Sequence, residues 1–391
     1  MARARKATQT QSKLQMILFG EEGTGKSTLA LQLAYFKRPD GKPFRVLYID
    51  NENGSIDDFI GGLEADGINT ENIYIVYTQS LGETREYINK VKNKEDFHVL
   101  DDEGSETDEI VLDGDGEPFR ADAIVVDGTT ILNLTTKQAL VEFSKKRNTV
   151  KAKKKELTGI EKTVTIEGAG LELKDYQTVN FKGQDLILDL MSCGAHFIVT
   201  ARETDEKVSV KGDDGKITSV ATGRKIPDGF KQMNYNVKTV VRMYINEDNN
   251  FCAYISKDRT GVHDKETVED LSLVDWQVII DRTKDKKEFS VKNDLTKAVD
   301  IEQDIYTKEV MGKVGEPVDN IETNENSAEN QTTELLDKIS AVMKSLNPVG
   351  KTKAKEALSA ENLPIKPTEM KKITDIKTLE RVIFFISVGL I

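Results

Sequence analysis

Short apolar runs rich in β-branched and aromatic residues recur along the chain at 15–19, 46–49, 73–77, 123–126, 196–200, 240–245 and 251–255. Runs of this length without polar alternation predict strands buried on both faces. Between several of them, over 27–36, 83–93 and 185–191, apolar residues fall at helical spacing. Strands and helices in alternation predict an α/β fold with a mainly parallel sheet.

Two polar excursions interrupt this core, near 94–118 and 203–235. In the first, Asp113-Gly114-Asp115-Gly116 between apolar residues predicts a hairpin turn. A calcium loop is excluded, because Pro118 stands where that loop needs glycine and its closing glutamate is missing. A second hairpin is expected over 207–220, around Gly212-Asp213-Asp214-Gly215. From 319 to 333 the chain is rich in Asn, Glu, Thr and Ser without aromatic residues, the composition of a flexible linker. Beyond it, 334–391 is expected to form a small helical module, with Leu335, Ile339, Val342 and Leu346 in helical register and a break at Asn347-Pro348. The expected organisation is a basic tail over 1–13, a core over 14–318, the linker and the module.

Composition adds exclusions. A chain of 391 residues has room for a sizeable core and two domains. A net charge of −12 argues against a uniformly basic surface, so charge must be read locally. Cys193 and Cys252 are the only cysteines, far apart and each within an apolar run, so they are expected to be reduced core residues. No long apolar stretch follows the basic N-terminus, and the run 382–391 is about half of a membrane-spanning helix, so a cytoplasmic protein is expected.

The chemistry begins at Gly20-Glu21-Glu22-Gly23-Thr24-Gly25-Lys26-Ser27-Thr28, which matches G-x-x-x-x-G-K-[ST] between a predicted strand and a predicted helix. Glycines let backbone amides converge on phosphates, Lys26 reaches the outer phosphates, and the Ser27 hydroxyl is a ligand for Mg²⁺. A chance glycine-rich turn would lack those flanks. A second metal-holding carboxylate is expected at Asp127, which ends the apolar strand Ala123-Ile124-Val125-Val126 as a Walker B aspartate does. ATP with Mg²⁺ is therefore the expected ligand.

Glu52 lies just past the strand that follows the P-loop helix, in Asp50-Asn51-Glu52, and here the chain resembles the RecA family. That resemblance implies a RecA-like core with Glu52 as the catalytic base. It makes Arg202, which ends a later strand, the counterpart of a γ-phosphate sensor that is usually Gln or His. The residue type departs from that pattern, and Arg202 could instead pair with a carboxylate such as Glu203. Lys257-Asp258-Arg259-Thr260-Gly261 is similar to the Lys-x-Arg-x-Gly motif of DnaB-type and RadA-type ATPases, which implies that Lys257 and Arg259 reach a neighbouring subunit's nucleotide in a ring or filament. A mixed-charge surface turn is the plainer alternative.

The resemblance covers about 14–280 and is nearest to phage-encoded ATPases of single-strand annealing and recombination. In that family a DNA-facing loop follows the Walker B strand, where this chain has Lys145, Lys146, Arg147, Lys151, Lys153, Lys154 and Lys155. Such a cluster would neutralise phosphates without reading sequence, or else it is a solvated helix face. The excursion 203–235 takes the place of the family's second DNA loop, where Phe230 and Tyr235 would stack on bases or anchor the loop to the core. The expected function is ATP hydrolysis coupled to single-stranded DNA in phage recombination or replication, in the host cytoplasm. A replication or recombination protein would be met through the C-terminal module. The alternative is an ATP-dependent regulatory or assembly switch that binds a protein and no DNA.

Overall fold

The computed structural model describes residues 5–54, 56–211, 217–289 and 295–312, and beyond these 335, 336, 339, 342, 343, 346, 348–360, 363 and 376–387. The linker expected over 319–333 and the turn expected at 212–215 lie outside the described residues. The chain divides into two compact units, Met1–Lys297 and Ala298–Ile391.

In chain order the first unit contains β1 (Gln15–Gly20), α1 (Lys26–Leu31), β2 (Val46–Asp50), α2 (Asp57–Ala65), β3 (Ile73–Tyr77), α3 (Leu81–Asn93), β4 (His98–Leu100) and β5 (Glu106–Ile110). It continues with β6 (Ala123–Asp127), α4 (Thr129–Lys154), α5 (Gly159–Glu167), α6 (Leu173–Ser192), β7 (His196–Lys211), β8 (Ile217–Pro227), α7 (Met233–Asn236), β9 (Thr239–Ile245), β10 (Phe251–Asp258), β11 (Thr267–Glu269) and α8 (Gln277–Asp281). Helix α9 (Leu295–Gly312) runs across the division between the units.

Nine strands form one sheet in the order β3-β2-β6-β7-β1-β9-β10-β11, with β8 paired to β7. The six strands from β3 to β9 run parallel, and β10, β11 and β8 are antiparallel to their neighbours. The α/β class and the mainly parallel sheet are as the apolar runs predict. Each central strand is apolar on both sides because each side faces a core. Met16, Leu18, Val46, Tyr48, Val125 and Ile198 pack on one face with α1 and Trp276. Ile17, Phe19, Leu47, Ile49, Val126 and Val199 pack on the other with residues of α3, α4 and α6. Period-two alternation between two apolar layers hides polarity altogether, which is why these strands read as continuous runs.

The excursion 94–118 carries its own small sheet, β4 with β5, and the expected turn at Asp113 closes where the Asp113 amide donates to the Glu117 carbonyl at 2.8 Å. The second excursion is the antiparallel ribbon of β7 and β8, paired from Glu203↔Pro227 to Lys211↔Ile217. Phe230 is buried at its foot with its ring against Gly183, so it anchors the segment, whereas Tyr235 is exposed. The N-terminal segment is held at residues 11 and 12: the Gln11 amide donates to the Lys287 carbonyl and the Ser12 amide to Thr283 Oγ1.

Helix α4, 26 residues long, was not among the helices expected. Its apolar residues are spread around it, Leu132 being buried while Leu134, Phe143 and Val150 are exposed, so it lacks the single apolar stripe that announces a helix. Its start is set by the turn at Gly128, and its length is supported by ion pairs to α5 and to the start of α6. Cys193 and Cys252 are buried and unpaired, and burial pushes the Cys193 thiol up to about 11.

In the second unit, α10 (Pro348–Ala360) and α11 (Ile376–Ser387) enclose a cluster of Ile339, Leu346, Ala354, Leu358, Leu379, Val382 and Ile386. Among the described residues no helix is long and apolar enough to cross a membrane.

Candidate functional site

Strand β1 and helix α1 are joined by the loop of the glycine-lysine motif, at the C-terminal end of the parallel strands. Gly20 is required there by crowding: a Cβ on it would lie 2.0 Å from the Met243 carbonyl oxygen. Gly23 and Gly25 take φ of 69° and 80°, which curls the loop so that its amides face a common centre. No side chain caps the start of α1, so its leading amides are left to be met from outside the helix.

Gly20, Glu21, Glu22, Gly23, Thr24, Gly25, Lys26, Ser27 and Thr28 line a cleft of about 780 Å³ together with Glu52, Arg202, Glu203, Phe59 and Phe251. Lys26 Nζ donates to the Glu21 carbonyl at 2.5 Å and reaches Thr24 Oγ1 at 3.4 Å. Burial pushes the Lys26 pKa down, and the carboxylates of Glu52 and Asp127 oppose that shift. All three charges therefore share one neighbourhood.

Glu52 owes its place to Asp50. The buried Asp50 carboxylate accepts the amides of Glu52 and Gly54, each at 2.8 Å, and so fixes the bend that turns Glu52 toward the loop. Arg202 then spans the cleft, its Nη2 3.2 Å and its Nε 3.4 Å from Glu52 Oε1. Arg202 thus pairs with a carboxylate, the alternative to contacting phosphate directly, but the carboxylate is Glu52; Glu203 is held by Arg242 at 2.8 Å and by Lys225 at 3.7 Å. Successive residues of a strand point to opposite sides, which directs the Arg202 side chain away from the carboxylate next to it in sequence.

Asp127 ends β6 beside Asp50, its Cα partner across the β2–β6 pair. It is buried, with Tyr48 Oη donating to its Oδ2 at 2.6 Å and Thr200 Oγ1 to its Oδ1 at 2.5 Å. The Thr200 hydroxyl in turn accepts the Gly128 amide at 2.8 Å. Tyr48 and Thr200 escaped sequence reading. A tyrosine and a threonine inside apolar strands read simply as β-formers, and only pairing across strands reveals what their hydroxyls meet.

The remaining candidates lie outside this cleft. Lys257 Nζ donates to the carbonyls of Asn234, Tyr235 and Val237 at 3.0, 3.0 and 2.6 Å, so it caps the end of α7 within its own chain. Arg259 is exposed and its side chain makes no hydrogen bond or ion pair among the described residues. The basic cluster 145–155 lies on the C-terminal half of α4 and just past it, not on a loop. Lys145 pairs with Glu142 and Glu167 at 3.1 and 3.0 Å, Arg147 with Asp175 at 2.5 Å, and Lys151 with Glu172 at 3.6 Å. Lys146, Lys153, Lys154 and Lys155 are exposed without an ion pair among the described residues.

The residues present suit Mg²⁺ bound beside a phosphate. A serine hydroxyl and a carboxylate are hard oxygen donors. No group of three or more His, Cys, Asp or Glu among the described residues could hold a metal by itself, so phosphate and water oxygens would complete the shell.

Among solved structures, a KaiC-like protein from the hyperthermophilic archaeon Pyrococcus horikoshii aligns with 65% of this chain and 83% of its own at 14% identity, with a TM-score of 0.33. No curated protein matches the chain. A family profile described as an AAA domain matches residues 12–269, a span that contains the whole cleft. That span is most of the chain and carries the phosphate loop, so the protein belongs to the AAA-domain family of P-loop ATPases.

Proposed function

We propose that the cleft binds ATP with Mg²⁺ and hydrolyses it, with Glu52 as general base. The observation that carries this reading is the convergence of the curled loop 20–28, Lys26 and Glu52 on one cleft. In this reading Lys26 leaves the Glu21 carbonyl to meet the outer phosphates, and Ser27 and Asp127 hold the metal. Mg²⁺ bound there would neutralise charge on the phosphate oxygens. A γ-phosphate arriving in the cleft would compete for the Arg202 guanidinium, and the Glu52 carboxylate so released would accept the proton of the attacking water. The Arg202–Glu52 pair thus links phosphate arrival to the availability of the base. Arg259, exposed where Lys257 is engaged, is the residue we assign to contact between subunits of an oligomer. The test is phosphate release by the purified protein at increasing concentration: activity per chain rises with concentration if subunits complete one another's sites, and a monomer fully active at every dilution contradicts that assignment.

The same reading extends to single-stranded DNA, as in the phage recombination ATPases that the motifs resemble, through the end of the α4 cluster, where Lys151 meets Glu172 at 3.6 Å and Lys153, Lys154 and Lys155 form no ion pair among the described residues. Replacing Lys151, Lys153, Lys154 and Lys155 with Ala is expected to weaken oligonucleotide binding equally for all sequences and to flatten its dependence on salt, since each phosphate contact displaces a counterion. Nucleotide affinity should hold. A salt titration of a labelled oligonucleotide checks this, and equal affinity with equal slope in wild type and variant would leave the helix end a solvated face and favour the protein-bound switch.

A further inference from the structure

The parallel strands have a second concave site at their other end. Lys13 precedes β1, Phe44 and Arg45 precede β2, Asp122 precedes β6 and His196 opens β7, and all five line one cavity of about 440 Å³ within the first unit. The nucleotide cleft lies at the opposite ends of the same strands, so the two sites share walls but no lining residue.

Charge in this cavity is one-sided. Seven lysine and arginine side chains line it against three carboxylates. Several of the cations have structural work: Arg45 holds Asp122 at 2.9 Å and Asp113 at 3.3 Å, and Arg120 and Lys90 pair with Asp96 and Glu106. The others do not. Arg38 Nε is buried without a hydrogen bond, its nearest carboxylate oxygens lying at 3.6 Å on Asp40 and 3.9 Å on Asp122. Lys94 and Lys284 are exposed at the rim and form no ion pair among the described residues.

His196 adds a neutral donor to the same cavity. It is buried, and burial first, then the charges of Lys13 and Lys238, push its pKa well down, so the ring stays neutral. Its Nδ1 accepts the Leu14 amide at 3.1 Å, which places the one ring hydrogen on Nε2. His196 lines the cavity, and its Nε2–H makes no hydrogen bond among the described residues. Arg38 Nε is the buried donor left without an acceptor here, which is costly, and an anion in the cavity would supply one. Behind these donors the floor is apolar, with Phe44 stacked near His196 at 5.0 Å between centroids and Phe97 and Ala195 beside them.

We propose that this cavity is a binding site for a small phosphorylated molecule, its phosphate held by Arg38, the His196 Nε2–H, Lys94 and Lys284, and its body resting on the apolar floor. A volume of about 440 Å³ suits a molecule of nucleotide size or smaller.

The test uses inorganic pyrophosphate as probe, titrated calorimetrically without Mg²⁺ at low salt into the Lys26→Ala protein, so that the P-loop does not contribute. One site per chain is expected. Adding Lys94→Ala and Lys284→Ala should weaken it about tenfold or more, with the urea midpoint unchanged because both side chains are exposed and unpaired. Absence of binding in Lys26→Ala, or affinity unchanged by the two further substitutions, overturns the site. A single-stranded oligonucleotide that displaces pyrophosphate at lower phosphate concentration overturns the assignment to a small molecule.

Discussion

Lys26→Ala is expected to lower ATP affinity by about ten- to a hundredfold and to remove measurable turnover, because one charge-assisted contact to phosphate contributes about 1.5–3 kcal/mol and a tenfold change is about 1.4 kcal/mol. The substitution removes the only ammonium lining the cleft among the described residues. It gives up the contacts of Lys26 Nζ with the Glu21 carbonyl and Thr24 Oγ1 but keeps the crowding at Gly20 and the bond from Thr24 Oγ1 to the Glu21 carbonyl at 2.8 Å, so the loop should keep its shape. Equilibrium binding of a fluorescent ATP analogue, with circular dichroism to confirm folding, checks the result. Wild-type affinity in a folded variant would remove the phosphate-binding role of the loop.

Glu52→Gln is expected to separate binding from chemistry. The amide keeps the shape of the side chain and still accepts a hydrogen bond from Arg202, but it cannot take a proton from water. Turnover should fall by about a hundred- to ten-thousandfold, the usual contribution of a general base, while ATP affinity stays within a few-fold of wild type. The variant gives up the ion pair between Arg202 and Glu52 in the free protein. That loss frees the guanidinium for phosphate, so the shift in affinity, if any, should be toward tighter binding. Single-turnover phosphate release measured beside equilibrium binding distinguishes the two effects. A variant that hydrolyses at the wild-type rate would show that another group serves as base.

The phosphate loop was legible because its chemistry depends on spacing within nine residues, and the glycines that shape the backbone are themselves the signal. The parallel strands were legible for a related reason: burial on both faces leaves no polar position to confuse the pattern. Glu52 could be placed because Asp50 bends the chain within two residues of it. What escaped depends on contacts between distant segments. Arg202 meets Glu52 from 150 residues away, and Tyr48 and Thr200 reach Asp127 from two different strands. The basic stretch 145–155 read equally as a DNA-facing loop or a solvated helix face, because a helix held by ion pairs on several sides has no apolar stripe to decide between them. Lys257 stood in a motif of phosphate-binding relatives, yet three carbonyls at the end of α7 lie within reach of its ammonium. The second cavity was invisible in the sequence, being assembled from the short segments that precede four strands.

Mg²⁺-dependent hydrolysis is the central claim, and release of labelled phosphate from γ-labelled ATP by the purified full chain tests it most directly, with Mg²⁺ and with a chelator. Release that requires Mg²⁺ and is lost with Lys26→Ala is the predicted result; ATP that binds with Mg²⁺ at saturating concentration, alone and with single-stranded DNA, yet yields no phosphate would contradict it.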